Sequence, residues 1–402
     1  MSDPAMNLTP LDAAIHPDPY PYYARLVAER PVYFDPGLAS WVVSGGAQVA
    51  EVLQHAHCKV RPAGEPVPAG LMDSQAGVLF GHLVRMNDGA QHALLKRLVH
   101  GSLACIEAEA LQAATRESVR QTFALTSPTR AGIGLTDYCY QAPAQTMGLL
   151  LGLPDAELAA AARLTSLLVR CISPGGTPQQ LLSGREAAAL LWSLFDDLLA
   201  QDASNTNPGL LWVMQRHALQ SGEGVARDAV IANAIGVMTQ AFESTTGLIG
   251  NTLLALADVD LKLRPPSTRD GVAGAMLAFI REVSRHDSPI QNTRRFAAEG
   301  FELGGAKVHA GDSLLLLLAA ANRDPALYAN PALRDPSRPP SLLFTFGAAR
   351  HQCPGQRIAE AIATAAVGQL LEAGLEPSHL HRPVAFRRSV NARVPELRLA
   401  LA

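Results

Sequence analysis

Apolar residues recur at three- to four-residue spacing over residues 91–103, 155–171, 184–201, 227–257, 272–285 and 356–371, a periodicity that predicts helices. The run 227–257 is the longest of these and carries a polar interruption, Gln240-Ala241-Phe242-Glu243-Ser244-Thr245-Thr246. Strand-like patterns cluster in two places. Residues 31–34 and 40–44 predict a hairpin near the N-terminus, and 301–303, 307–309 and 313–317 form a second group that turns at Gly304-Gly305. The chain shows no internal repeat. Proline-rich stretches at 61–68, 263–267 and 335–340 are too short to prove a domain boundary. The expectation is a mainly α chain with a minor β part. It would form one domain over 1–402, with a small β-rich portion near 1–60 and a large helical portion near 70–402.

Composition narrows the class. With 402 residues, 48% hydrophobic and 17% charged, the chain can bury a large core. A net charge of −3 argues against a general nucleic-acid binder. The N-terminal stretch carries Asp3, Asp12 and Asp18 among prolines, where a secretion signal needs a basic start and an apolar run. The longest apolar run, 314–321, is too short to span a bilayer. Cys58, Cys105, Cys139, Cys171 and Cys353 are odd in number and scattered, with no CxxC pair. That usage suits a reducing cytoplasm better than a disulfide or zinc framework. A cytoplasmic protein without nucleic-acid or membrane partners is expected.

Cys353 carries the most chemistry. It lies in Phe346-Gly347-Ala348-Ala349-Arg350-His351-Gln352-Cys353-Pro354-Gly355 and leads into the alanine-rich amphipathic run 356–371. A loop of this kind presents one thiolate at a helix N-terminus, where the dipole and free N–H groups favour negative charge. Such a thiolate is a nucleophile, a metal ligand or the axial ligand of a haem iron. An isolated cysteine is more often a small core residue, but a core residue needs neither a glycine-punctuated loop nor neighbouring cations.

Three further patches precede it. Glu282 and Arg285 share a helix face at i, i+3 spacing, though alone they are an ordinary surface pair of about 0.5 kcal/mol. Glu243 beside Ser244 sets an acid next to an alcohol within the long helical run; such hydroxyls often only bond the i−4 carbonyl. His92 and Lys96 stand one helical turn apart, and Thr293-Arg294-Arg295 adds cations that in isolation read as solvated charges.

Taken in order, these patches resemble the cytochromes P450, the haem-thiolate monooxygenases, from roughly residue 17 to the C-terminus. The stretch Phe346-Gly347-x-Ala349-x-His351-x-Cys353-x-Gly355 resembles the family's haem-binding loop, with Ala349 where a second glycine is usual. The resemblance implies haem b with Cys353 as the axial thiolate, lying between the long oxygen-binding helix and the cysteine loop and helix. Phe346 would pack beneath the macrocycle, Gly355 would allow close approach, and His351 would bond a propionate. His92, Lys96 and Arg295 would serve the propionates too, with Lys96 where arginine is usual. Ala241, Glu243 and Ser244 would occupy the small, acid and alcohol positions of the oxygen-binding helix. Sliding by one residue offers Thr245 as the alcohol but places bulky Phe242 against the haem. The Glu282–Arg285 pair would be the family's structural ion pair, with Arg338 as third member by spacing, although Arg334 is close.

The implied function is insertion of one oxygen atom from O2 into a medium-sized apolar organic substrate, in secondary metabolism. Within enzymes, desaturation, aryl coupling or ring rearrangement on the same scaffold stays open. Outside them, so does a non-catalytic haem-thiolate binding or sensor protein. Electrons are expected from a separate ferredoxin or flavodoxin with its reductase, because 402 residues leave no room for a fused one. A basic face near Arg350 and Arg357 would suit such an acidic partner. The expected pocket walls are 71–84, 164–172, 234–244, 288–293 and 389–391, with Arg61 and Arg85 within reach.

Overall fold

A computed structural model describes residues 8–129, 134–173, 175–201, 209–258, 272–339, 342–389 and 391–400. The proline-rich stretch 263–267 lies outside the described residues. The helices are α1 Tyr20–Glu29, α2 Gly46–Gln54, α3 Gln75–His82, α4 Gly89–Ala104, α5 Ala108–Thr126, α6 Gly134–Leu151 and α7 Asp155–Ile172. They continue as α8 Pro178–Ala200, α9 Leu210–Gln220, α10 Arg227–Ala257, α11 Val272–His286, α12 Leu318–Ala321 and α13 Gln356–Glu372. The strands are β1 Val32–Asp35, β2 Ser40–Val43, β3 Cys58–Lys59, β4 Thr293–Ala297, β5 Phe301–Leu303, β6 Ala306–Val308 and β7 Ser313–Leu316.

Helix α10 is the axis of the molecule. Its 31 residues make a rod of about 46 Å. It is apolar nearly all round, the mark of a helix buried on every side rather than a surface amphipath. Ile231, Ile235, Leu248, Ile249 and Leu253 are all at most 1% exposed. Each fully buried side chain of this kind contributes about 1.5–3 kcal/mol. Helices α3, α6, α7, α8, α9, α11 and α13 pack around it. The polar run 240–246 does not break the helix, because its side chains face a cavity or bond back to the preceding turn.

Helix α8 begins six residues before its periodicity does. Thr177 caps it, accepting from the Gln180 N–H at 3.2 Å while Gln180 accepts the Thr177 N–H at 2.8 Å, and Pro178 follows the cap.

The minor β part joins distant segments. The five-stranded sheet has order β1-β2-β7-β4-β3. The N-terminal hairpin pairs antiparallel, with Phe34 opposite Trp41. Strand β7 then joins β2 in parallel, Trp41 opposite Leu314, and β4 joins β7 antiparallel. The second strand group is therefore split. Strands β5 and β6 form a separate ribbon across Gly304 and Gly305, whose φ values of +55° and +80° suit a tight hairpin turn. This sheet holds β4, and with it Arg295, against the helical body.

Candidate active site

The Cys353 loop is fixed before its sulfur is considered. The Cys353 N–H donates to the Phe346 carbonyl at 2.8 Å, closing the loop. Gly347 turns with φ +67°, and a Cβ there would stand 3.3 Å from the His351 carbonyl. Ala349 adopts φ +54°, a left-handed conformation that costs alanine about 1 kcal/mol more than glycine. Beneath the loop, buried Thr345 donates to the Ser284 carbonyl of α11 at 2.6 Å, and Asn322 accepts the Phe344 N–H at 2.8 Å. Phe346 is 9% exposed.

The thiol of Cys353 is accessible yet lies deep in the protein, because it opens on an interior cavity. Burial pushes its proton affinity up, while the Gly355 N–H and the Lys96 ammonium oppose that shift. A Cβ on Gly355 would meet the Cys353 sulfur at an ordinary 3.9 Å.

The cationic end of the cavity is more internally satisfied than its sequence implies. His92 and His351 lie ring to ring, centroids 4.1 Å apart. His351 Nε2 meets Asp88 at 3.2 Å, and Asp88 also accepts the Val60 N–H at 2.8 Å. Burial lowers both imidazoles, His92 to about 4, so the pair is neutral at neutral pH. Lys96 lines the cavity, but its ammonium donates to the Gln352 carbonyl and so braces the cysteine loop. Arg97 points to the opposite side and pairs with Glu223. Arg295 is 6% exposed; its Nη1 donates to Thr293 and to the Arg294 carbonyl, leaving a buried Nε unmet. Arg350 is partly exposed and also donates to the His55 and Cys58 carbonyls at 2.9 and 2.7 Å. Arg357 stays exposed, with its guanidinium on the Ile106 carbonyl. Sequence reasoning missed Asp88, although an acid just before a helix start is itself a signal.

Across the cavity, Ala241, Glu243, Ser244 and Thr245 of α10 line the wall, whereas Phe242 turns away to pack at a tilt against Tyr140, ring centroids 5.0 Å apart. The Ser244 hydroxyl donates to the Gln240 carbonyl at 2.6 Å, which leaves its lone pairs free to accept. The Thr245 hydroxyl is buried without a partner. Ser389 donates to Glu243 at 2.8 Å, a contact that no sequence pattern announces. Burial raises the Glu243 proton affinity, with Ser389, Arg170 and Arg387 pulling the other way.

The sign of that shift gives a test. A carboxyl raised in the fold stabilises it below the unfolded value and loses that contribution as pH rises through the folded value. Glu243→Gln should therefore melt with the wild type below about pH 4 and become progressively more stable than it as pH rises. Melting curves across pH check this; a pH-independent difference contradicts it.

Glu282 and Arg285, 5% and 1% exposed, form a bidentate pair at 2.6 and 2.9 Å. Arg338 Nε reaches Glu282 at 3.3 Å. Arg334 joins a separate hub instead, pairing with Asp287 at 2.9 Å alongside Arg323 and His286.

Cys353, His92, Lys96, His351 and Arg295 share one cavity of about 890 Å³ with Ala241, Glu243, Ser244 and Thr245 of α10, whereas the Glu282–Arg285 pair and the Asp287 hub lie outside it. Leu71, Val169, Ala241, Ile290 and Asn391 contribute from the five expected wall segments, although residue 390 lies outside the described residues. The residues fit haem b. The Cys353 thiol opens into the cavity at the cysteine loop, an unmet Arg295 Nε and two neutral imidazoles stand at one end, and an unmet Thr245 hydroxyl stands on the opposite wall. Among the described residues no cluster of three or more His, Cys, Asp or Glu could hold a metal ion, which sets Cys353 apart from a zinc site. All five cysteines are free. Among the described residues no helix is long and apolar enough to cross a membrane.

The chain is similar to known proteins in sequence and fold. A family model described as Cytochrome P450 matches residues 276–373. Biotin biosynthesis cytochrome P450 of Bacillus subtilis (strain 168) is 24% identical over 88% of this chain and 89% of its own length. Cytochrome P450 monooxygenase PikC of Streptomyces venezuelae is 27% identical over 92% of this chain and 87% of its own. The solved structure of epothilone B-bound cytochrome P450epoK superposes with a TM-score of 0.82 at 22% identity, covering 98% of this chain and 100% of that one.

Proposed function

The chain belongs to the cytochrome P450 family, and we propose that it inserts one atom of O2 into a medium-sized, largely apolar organic substrate. The observation that carries this reading is the single cavity joining the Cys353 thiol to the Glu243–Ser244 pair. Haem b, held through a cysteine thiolate, supplies the iron that activates O2 for such chemistry. Cys353 is the proposed ligand, with Arg295, His92 and His351 placed for the propionates and Phe346 packing at the cysteine loop. The family draws electrons from a redox partner; a ferredoxin or flavodoxin with its reductase is the proposed donor here.

The protein's own contribution on the distal side is proton handling. Glu243 keeps its proton to higher pH than an ordinary glutamate, so it can give one up inside the cavity. Ser244, donating to Gln240, leaves its lone pairs free to accept from a donor inside the cavity. Serine lacks the β-methyl that fixes a threonine rotamer, so it orders that donor less tightly. Ser244→Thr should lower the hydrogen peroxide released per reductant consumed by roughly a factor of two or more. An unchanged ratio counts against this role.

The epothilone B-bound relative and the apolar wall together support a secondary-metabolite or lipid-like substrate. The test is turnover under 18O2 with a ferredoxin and its reductase, on compounds that shift the haem spin state. One 18O atom per product is expected. Oxidised product without label would point to desaturation, coupling or rearrangement.

A further inference from the structure

The short turn Val84–Met86 presents an arginine that the rest of the molecule leaves alone. Arg85 lines the cavity, and its Nε is buried without a partner. Among the described residues it makes no hydrogen bond, ion pair or ring contact. Arg295 and Arg334 also have an unmet Nε, yet each donates through its terminal nitrogens. Arg61, the other cation near this wall, is held by the Glu65 carbonyl at 2.7 Å and the Glu65 carboxylate at 3.7 Å. Burial alone lowers the Arg85 pKa, to about 10, with no neighbouring charge contributing, so it stays cationic at neutral pH. An unpaired charge in such surroundings is strongly disfavoured until an anion meets it.

The backbone behind it is pinned. The Val84 N–H donates to Asn233 Oδ1 of α10 at 2.9 Å, and Asn233 donates back to the His82 carbonyl at 2.8 Å. Asn87, on the other side, donates to the Gly81 and Leu83 carbonyls at 2.9 and 2.8 Å. The turn is thus held ready for a ligand, which lowers the ordering cost of binding.

We propose that Arg85 recognises a carboxylate on the substrate, so that the natural substrate is an organic acid with an otherwise apolar skeleton. This rests on the reading of the cavity as the substrate site. A guanidinium with a free edge matches a carboxylate by two parallel hydrogen bonds. One unpaired cation among Leu71, Phe80, Val84 and Met86 suits a monoanion, because the neighbouring Arg61 is already held by Glu65. A haem propionate is the competing source of the same chemistry. His92, His351 and Arg295, the proposed propionate partners, line the cavity beside the cysteine loop, and Arg85 makes no contact with them.

The test compares dodecanoate, hexadecanoate and abietate, each against its methyl ester, by calorimetry and by haem spin shift on the purified protein. At least one acid should bind about tenfold or more tightly than its ester. Arg85→Gln should erase that preference while leaving ester affinity within about threefold, and Arg85→Lys should keep part of it. No acid outbinding its ester in the wild type would overturn the proposal. So would an Arg85→Gln protein that keeps the preference but loses haem faster to apomyoglobin, which would mark a propionate partner. A protein lacking the reduced-CO spectrum of a thiolate-ligated haem would instead count against the family-level reading, while the calorimetric ratio still decides on Arg85.

Discussion

Cys353→Ala should lower reductant-driven turnover by at least about a thousandfold, equivalent to about 4 kcal/mol of barrier, while far-UV circular dichroism stays unchanged. The separation of the two effects follows from where the side chain stands. Cys353 contributes its backbone N–H to the loop through Phe346, and alanine keeps that bond. Its sulfur faces an open cavity rather than packed core, so truncation leaves no void of the kind that destabilises a fold. The loss is therefore one of ligand chemistry. Retained turnover in Cys353→Ala would remove the thiolate from the mechanism; a collapsed circular dichroism signal would make the residue structural.

Arg285→Ala should destabilise the protein by about 3–5 kcal/mol, the cost of leaving a buried ion-pair partner unmatched. Arg285 donates twice to Glu282 and once each to the carbonyls of Asn322, Pro331 and Leu333 at 2.9–3.0 Å. Its removal leaves Glu282 with Arg338 at 3.3 Å and the Asp335 N–H at 2.9 Å. The carbonyls it ties belong to the chain between α12 and the cysteine loop, so haem retention should fall together with stability. Arg285→Lys should not rescue, because an ammonium cannot satisfy this fork of carboxylate and carbonyls. Urea unfolding of the variants checks this; a loss under about 1 kcal/mol in Arg285→Ala contradicts it.

Local chemistry was legible wherever it was written in consecutive residues. The bounds of α10 follow from its apolar run, the N-terminal hairpin from its alternation, and the Glu282–Arg285 pair from its i, i+3 spacing. What escaped depends on distant partners. Strand β4 reads as a cluster of cations, Arg294 and Arg295, and becomes a strand because β7 and β3 pair with its two edges. The parallel joining of β2 to β7 links residues about 270 apart and leaves no local trace. Lys96 and Arg350 read as free cations in the sequence, but nearby carbonyls take up their hydrogen bonds, an outcome set by loop geometry rather than residue type. The solitude of Arg85 is likewise a property of everything around it.

The most direct measurement of the central claim is the carbon monoxide difference spectrum of the purified, reduced protein. Bound haem b and the red-shifted Soret band of a thiolate-ligated adduct, lost in Cys353→Ala, are the expected result. A colourless protein that takes up no haem, or an adduct with the spectrum of histidine ligation, would contradict it.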